Sequence, residues 1–145
     1  MSLDKPVRAV SDVTITIPAC HSHLGVVRLA ASGVAAVYGF DIGRIEDIKT
    51  AVCEACYYLI GLANRTPALC IVFAFDEAQH ALGIVAKGIG EAIPSPEGRT
   101  IDPQMAACVL ETLVDKASLS IAGDGNCAIS MRVQCVREPQ AHEHA

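Results

Sequence analysis

Between Ile45 and Leu62 the apolar residues Ile45, Ile48, Val52, Ala55, Leu59 and Leu62 recur at alternating spacings of three and four. That is the period of an amphipathic helix with one buried stripe, and Asp41 just upstream is a suitable N-cap. At 100° per residue, Glu54, Tyr58 and Gly61 fall together on one flank, about 90° to 150° from the centre of the stripe. Earlier, Val13–Ile17 (VTITI) alternates with period two, which predicts a strand with one buried face. From about His23 to Tyr38 the chain is helical in tendency but crowded with Gly25, Ala30, Ala31, Ser32, Gly33, Ala35 and Ala36. Residues this small let a helix lie close to a neighbour, and Gly39 is placed to end it.

Farther on, ALCIVFAF (Ala68–Phe75) and ALGIVA (Ala81–Ala86) flank the turn DEAQH. Two continuous apolar runs predict a hairpin buried on both sides or nearly so. Residues 87–101 hold five Gly and Pro residues without periodicity, which predicts a long loop of the kind that forms lids. Asp102-Pro103 then supplies an N-cap and a first-turn proline for an amphipathic helix carrying Met105, Cys108, Val109, Thr112, Leu113 and Lys116. Finally, SLSIAG and NCAISMRVQCV flank Asp124-Gly125, a hairpin signal. The order β-α-α-β-β-loop-α-β-β favours an α+β two-layer sandwich, with helices on one face of a mixed, mostly antiparallel sheet.

Composition narrows the class. A chain of 145 residues that is 52% hydrophobic is expected to form a single domain over 1–145, with an ordered core of about 13–136. A net charge of −5 and no Lys/Arg run argue against a nucleic-acid surface. The first twenty residues lack a continuous apolar block, so neither a signal peptide nor a membrane span is expected and the protein is placed in the cytoplasm. Seven cysteines, an odd number, read as reduced and mostly buried rather than as a disulfide framework. The polar tail 138–145 is expected to fray.

Several residues are candidates for chemistry. Cys53 and Cys56 form a Cys-x-x-Cys in mid-helix, away from the helix N-terminus that would lower a thiol pKa. Cys20, His21 and His23, with His142 and His144, could gather a metal, or could simply form a His-rich turn. Glu54 lies on the helix flank beside small and aromatic residues, where a base or a solvated side chain would both fit. Ala86-Lys87-Gly88-Ile89-Gly90 ends a buried strand in Gly-x-Gly, which lets backbone approach a ligand closely.

The segments IPAC, GVVRLAASGVA, IEDIKTAVCEAC, AKGIG and LETLVDKASL, spread in order over residues 13–135, resemble the anti-sigma-factor serine kinases of the general-stress and sporulation type. Those kinases belong to the histidine-kinase-like (GHKL, Bergerat-fold) ATPases. The resemblance implies that fold, an ATP–magnesium site in the family, a sigma factor or a STAS-type antagonist as partner, and a homodimer. With the charge and hydropathy above, no nucleic-acid partner and no membrane association are expected.

Compared box by box, the chain departs from the family pattern. In Glu-x-x-x-Asn the base is present as Glu54, but Tyr58 stands at the magnesium-ligand Asn, and a neutral phenol does not replace a compact amide oxygen. In Asp-x-Gly-x-Gly, Gly88 and Gly90 remain, but Ala86, or Lys87 in a shifted register, stands at the adenine-binding Asp. Losing that acceptor removes about 1.5 to 3 kcal/mol. At the Gly-x-Gly that cradles phosphate, Pro103, Gln104, Met105 and Ala106 hold the positions and the glycines are gone. Together these changes imply ATP affinity lower by about two to four decades. The sequence therefore favours a protein-binding regulator with a vestigial ATP site, no bound cofactor or metal and an idle Glu54. One alternative is an active ATP-dependent serine/threonine kinase using Glu54 as base and Lys87 on a phosphate. Another is a thiol or metal sensor.

Overall fold

The computed structural model describes residues 12–62, 64–100, 102–121 and 126–136. Strand β1 (Asp12–Pro18) leads through a short 3-10 turn at His21–His23 into helix α1 (Leu24–Val37), followed by α2 (Ile42–Ile60). A two-residue strand β2 (Asn64–Arg65) precedes the hairpin β3 (Ala68–Asp76) and β4 (Ala81–Ile89). After β5 (Ile93–Pro94) come α3 (Pro103–Leu110), β6 (Lys116–Ile121) and β7 (Cys127–Gln134).

Five strands form one sheet in the order β1-β3-β4-β7-β6. The expected mixed sheet is antiparallel at each of its four pairings. β2 and β5 form a separate two-stranded antiparallel ribbon. The expected α+β sandwich is present, with the buried faces of α1 and α2 joined in one core to inward residues of the sheet, among them Ile71, Phe73, Ile84 and Ile129.

Local signals explain most boundaries. The Asp41 side chain accepts from the Arg44 N–H at 2.7 Å, capping α2, and Ile48, Val52, Ala55 and Leu59 are buried as the periodicity required. Gly39 follows α1 with φ +81°, the left-handed conformation that a glycine adopts at a helix end. Small residues on α1 play two parts. Ala31 and Ala35 are fully buried, whereas Gly25 and Gly33 border open space, where an added Cβ would meet nothing within 4 Å.

Three expectations are corrected. The β3–β4 hairpin is packed on one face only: Leu69, Ile71 and Phe73 are buried, while Cys70, Val72 and Ala74 on the opposite face are half-exposed. The loop at 87–101 is shorter than its composition implied, because β4 runs on through Gly88 to Ile89 and the loop itself contains β5. Helix α3 stops at Leu110, and Lys116 is the first residue of β6 rather than a helical one. The Asp115 N–H donates to the Arg132 carbonyl at 3.1 Å, which draws the chain into the sheet. The Asp124-Gly125 turn, His142 and His144 lie outside the described residues.

Candidate functional site

A cleft of about 460 Å3 opens between the C-terminal end of α2, residues 97–100 with Asp102, and α3. Tyr57, Tyr58 and Gly61 form its α2 wall, and Met105, Ala106 and Val109 its α3 wall. Tyr58 is half-buried against the core, whereas Tyr57 is 49% exposed and its ring lies 5.1 Å from that of His21. Arg99 is tied to the end of α2 through its backbone. The Arg99 N–H donates to the Gly61 carbonyl at 2.8 Å, beside a parallel bridge between Leu62 and Arg99.

The start of α3 faces this cleft and is closed by its own sequence. Asp102 lines the cleft, and its carboxylate accepts from the Gln104 N–H at 3.0 Å. Pro103 occupies the first turn and carries no N–H. One of the amides that a helix start offers to an anion, that of Gln104, is thus given to an internal carboxylate.

The predicted site residues separate into several places. Tyr58, Met105 and Ala106 line the cleft, and Gln104 lies at its edge, exposed, through the cap just described. Glu54 lies one turn before Tyr58 on the same flank of α2, half-buried, with no hydrogen bond or ion pair among the described residues. Ala86 is fully buried in the core, in register between Ile71 and Ile129. Lys87 is exposed and points to the other face of the sheet, as strand alternation requires. There it lines a separate groove with Gly88, Gly90, Ser120, Asn126 and Ala128.

The two glycines answer first to packing. A Cβ on Gly88 would lie 2.5 Å from Thr66 Oγ1 and 2.9 Å from its Cγ2, and Thr66 is buried and donates to the Ala68 carbonyl at 2.9 Å. Gly90 has φ +95°, and a Cβ there would lie 2.7 Å from Pro67 Cγ. Thr66-Pro67 therefore requires glycine at both positions, whatever binds nearby.

The two thiols of the Cys-x-x-Cys behave as core residues, whereas Cys20 and Cys108 are exposed. Cys53 and Cys56 are both buried, and Cys53 donates to the Leu24 carbonyl at 3.9 Å. Burial, and secondarily the neighbouring Cys53, pushes the Cys56 thiol up to about 12, the reverse of what nucleophilic or metal-binding sulfur needs. Among the described residues no three His, Cys, Asp or Glu side chains are grouped to hold a metal. No helix among them is long and apolar enough to cross a membrane.

Sequence reasoning missed His21, Tyr57, Glu97, Arg99 and Thr100 as cleft residues. Only Tyr57 carried a signal, through its place beside Tyr58. The loop residues reach the cleft by backbone bonds that no side-chain pattern announces.

An antiparallel sheet backed by helices, with a cleft between the second helix and the segment leading into the third, defines a histidine-kinase-like ATPase fold. In agreement, the chain aligns over 89% of its length with a crystal structure of the RsbU and RsbW domains of Rv1364c from Mycobacterium tuberculosis, at TM-score 0.70 and 18% identity. It spans about a third (34%) of that longer polypeptide. No protein-family model matches the chain. It is 30% identical over 143 residues to a serine-protein kinase RsbW of Bacillus licheniformis, covering 86% of each chain, and 28% identical over 141 residues to another from the same species. A shorter stretch of 44 residues is 50% identical to the serine-protein kinase RsbW of Halalkalibacterium halodurans, covering 30% of this chain and 27% of that one. The chain belongs to the RsbW serine-protein kinase family.

Proposed function

We propose that this member of the family regulates by binding protein partners and does not transfer phosphate. The observation that carries the reading is the Asp102 cap on α3. A phosphate at that helix start would meet a carboxylate in place of a free amide, and Pro103 offers no donor beside it. Tyr58 adds bulk where the family's Asn would hold magnesium, and Ala86 is enclosed in the core where an Asp would reach adenine. The residues present do not fit a magnesium–nucleotide complex, so no catalytic step is assigned to Glu54.

The partner class follows from the family: a sigma factor or a STAS-type antagonist, in the cytoplasm, with the chain as a homodimer. The exposure of α1 supports a protein-binding role, since Leu29 and Val37 are 77% and 78% exposed on it and Ile42, just beyond, 81%. Calorimetry with ATP and magnesium tests the reading. No saturable heat at micromolar protein is expected, and magnesium-dependent saturation would overturn it. Incubation with radiolabelled ATP and a STAS-domain antagonist is expected to leave the antagonist unlabelled, and label transfer that Glu54→Gln abolishes would establish the kinase instead.

A further inference from the structure

We infer that the cleft between α2 and α3 is a binding site for a planar aromatic small molecule that carries no phosphate or other anionic group. The inference rests on the proposal that nucleotide phosphates are excluded. It adds that the cleft persists as a site for a different ligand class. Its volume, about 460 Å3, lies within the range of small-molecule sites. Tyr58 lines one wall and leaves the space open.

The lining sets the class. Tyr57 and Tyr58 line the α2 side, with the His21 ring 5.1 Å from that of Tyr57, and Met105 and Val109 line the α3 side. Rings and a thioether stack well on a flat π-system and offer little to a branched polar group. Met105 and Val109 are 66% and 40% exposed, so a ligand would remove apolar surface that the protein alone leaves in water. The charges at the rim are Glu97, Asp102 and Arg99, two carboxylates against one guanidinium. An anion entering there meets net repulsion and finds the amide of Gln104 already taken by Asp102.

A matched pair of probes tests this: 2-naphthol and 2-naphthyl phosphate, titrated into the whole chain and followed through amide NMR shifts of Tyr57, Gly61, Arg99 and Val109. We expect saturable sub-millimolar binding of 2-naphthol and at least about tenfold weaker binding of the phosphate ester, a difference of about 1.4 kcal/mol. Met105→Glu and Tyr57→Ala, both at exposed positions, are expected to abolish the naphthol shifts while the melting curve stays unchanged. No saturable naphthol binding, equal or tighter binding of the ester, or naphthol binding that survives both variants would each overturn the inference. The same titration with ATP and magnesium separates the two readings. ATP saturation defeats the non-catalytic proposal, whereas silence toward both ATP and naphthol defeats only the present inference.

Discussion

Gly88 and Thr66 are locked together, with a missing Cβ on one leaving room for the hydroxyl and methyl of the other. Thr66 cannot withdraw freely, because it is buried and its Oγ1 donates to the Ala68 carbonyl. Gly88→Ala is expected to destabilise the fold by about 2 to 3 kcal/mol through overpacking. Thr66→Ala should cost about 1 kcal/mol alone and recover much of the Gly88→Ala loss when combined with it. Urea titrations of the two single variants and the double variant check this, and strict additivity would show that the clash is relieved elsewhere.

Asp102 serves α3 in the same local way. Asp102→Ala is expected to lower stability by about 1 kcal/mol, with Asp102→Asn close to wild type because an Asn oxygen also caps. Thermal melts followed by circular dichroism distinguish these outcomes from a purely charge-based effect, in which Asn would fall with Ala.

Ala86 is a core position on β4. Because Ala86 is fully buried, on a strand position paired with Ile71 and Ile129, Ala86→Asp is expected to enclose a carboxyl without a partner. A loss of about 3 kcal/mol or more should follow, together with a carboxyl pKa raised by desolvation. Urea unfolding measures the loss, and retained stability would mean that the strand end can turn this position toward the cleft.

Cys56 sets an alkaline limit to stability. Its folded pKa is raised from 9.0 to about 12 by burial, with Cys53 adding to it. Below the unfolded value both states hold the proton and pH has no effect through this group. Above it the unfolded chain releases the proton while the native one retains it, so stability falls with rising pH by up to about 1.4 kcal/mol per unit. Urea midpoints from about pH 8 to about pH 10.5 should fall more steeply for the wild type than for Cys56→Ala.

Arg44 joins distant parts of the chain. Its guanidinium donates to the Leu113 carbonyl at 3.1 Å and to Asp115 Oδ2 at 2.6 Å, and Asp115 also accepts from the Gln134 N–H at 2.6 Å. Arg44→Ala is expected to cost about 1 to 2 kcal/mol, and Arg44→Lys somewhat less, since lysine keeps the charge but cannot serve both acceptors in one plane. Chemical denaturation of the two variants checks the order. The ion pair is partly exposed on both sides, so added salt should weaken it only modestly.

What could be read from the sequence was whatever one segment declares by itself. The stripe from Ile45 to Leu59, the Asp41 cap and the glycine after α1 are local, and each appears in the structure as its pattern required. The end of α3 was not legible, because the decision between another helical turn and β6 is made by Arg132, across the sheet from Asp115. The β2–β5 ribbon is two residues on each side, too short for any period to register. For the candidate site, Tyr58, Met105 and Ala106 were named through the family pattern, and all three line one cleft. The roles of Gly88 and Gly90 depend on Thr66 and Pro67 in a different strand region, a distance in sequence that spacing rules do not cross.

The carboxylate over the first turn of α3 also constrains what this chain can become. On the proposed reading, a path back toward holding a nucleotide runs through removing Asp102, so that the Gln104 amide is freed for phosphate, and that first step weakens the helix before it confers anything. Pro103 would have to change as well, and neither substitution alone supplies a donor set. The cap would then work as a ratchet: a minor contribution to stability that makes the proposed loss of function hard to reverse by single steps.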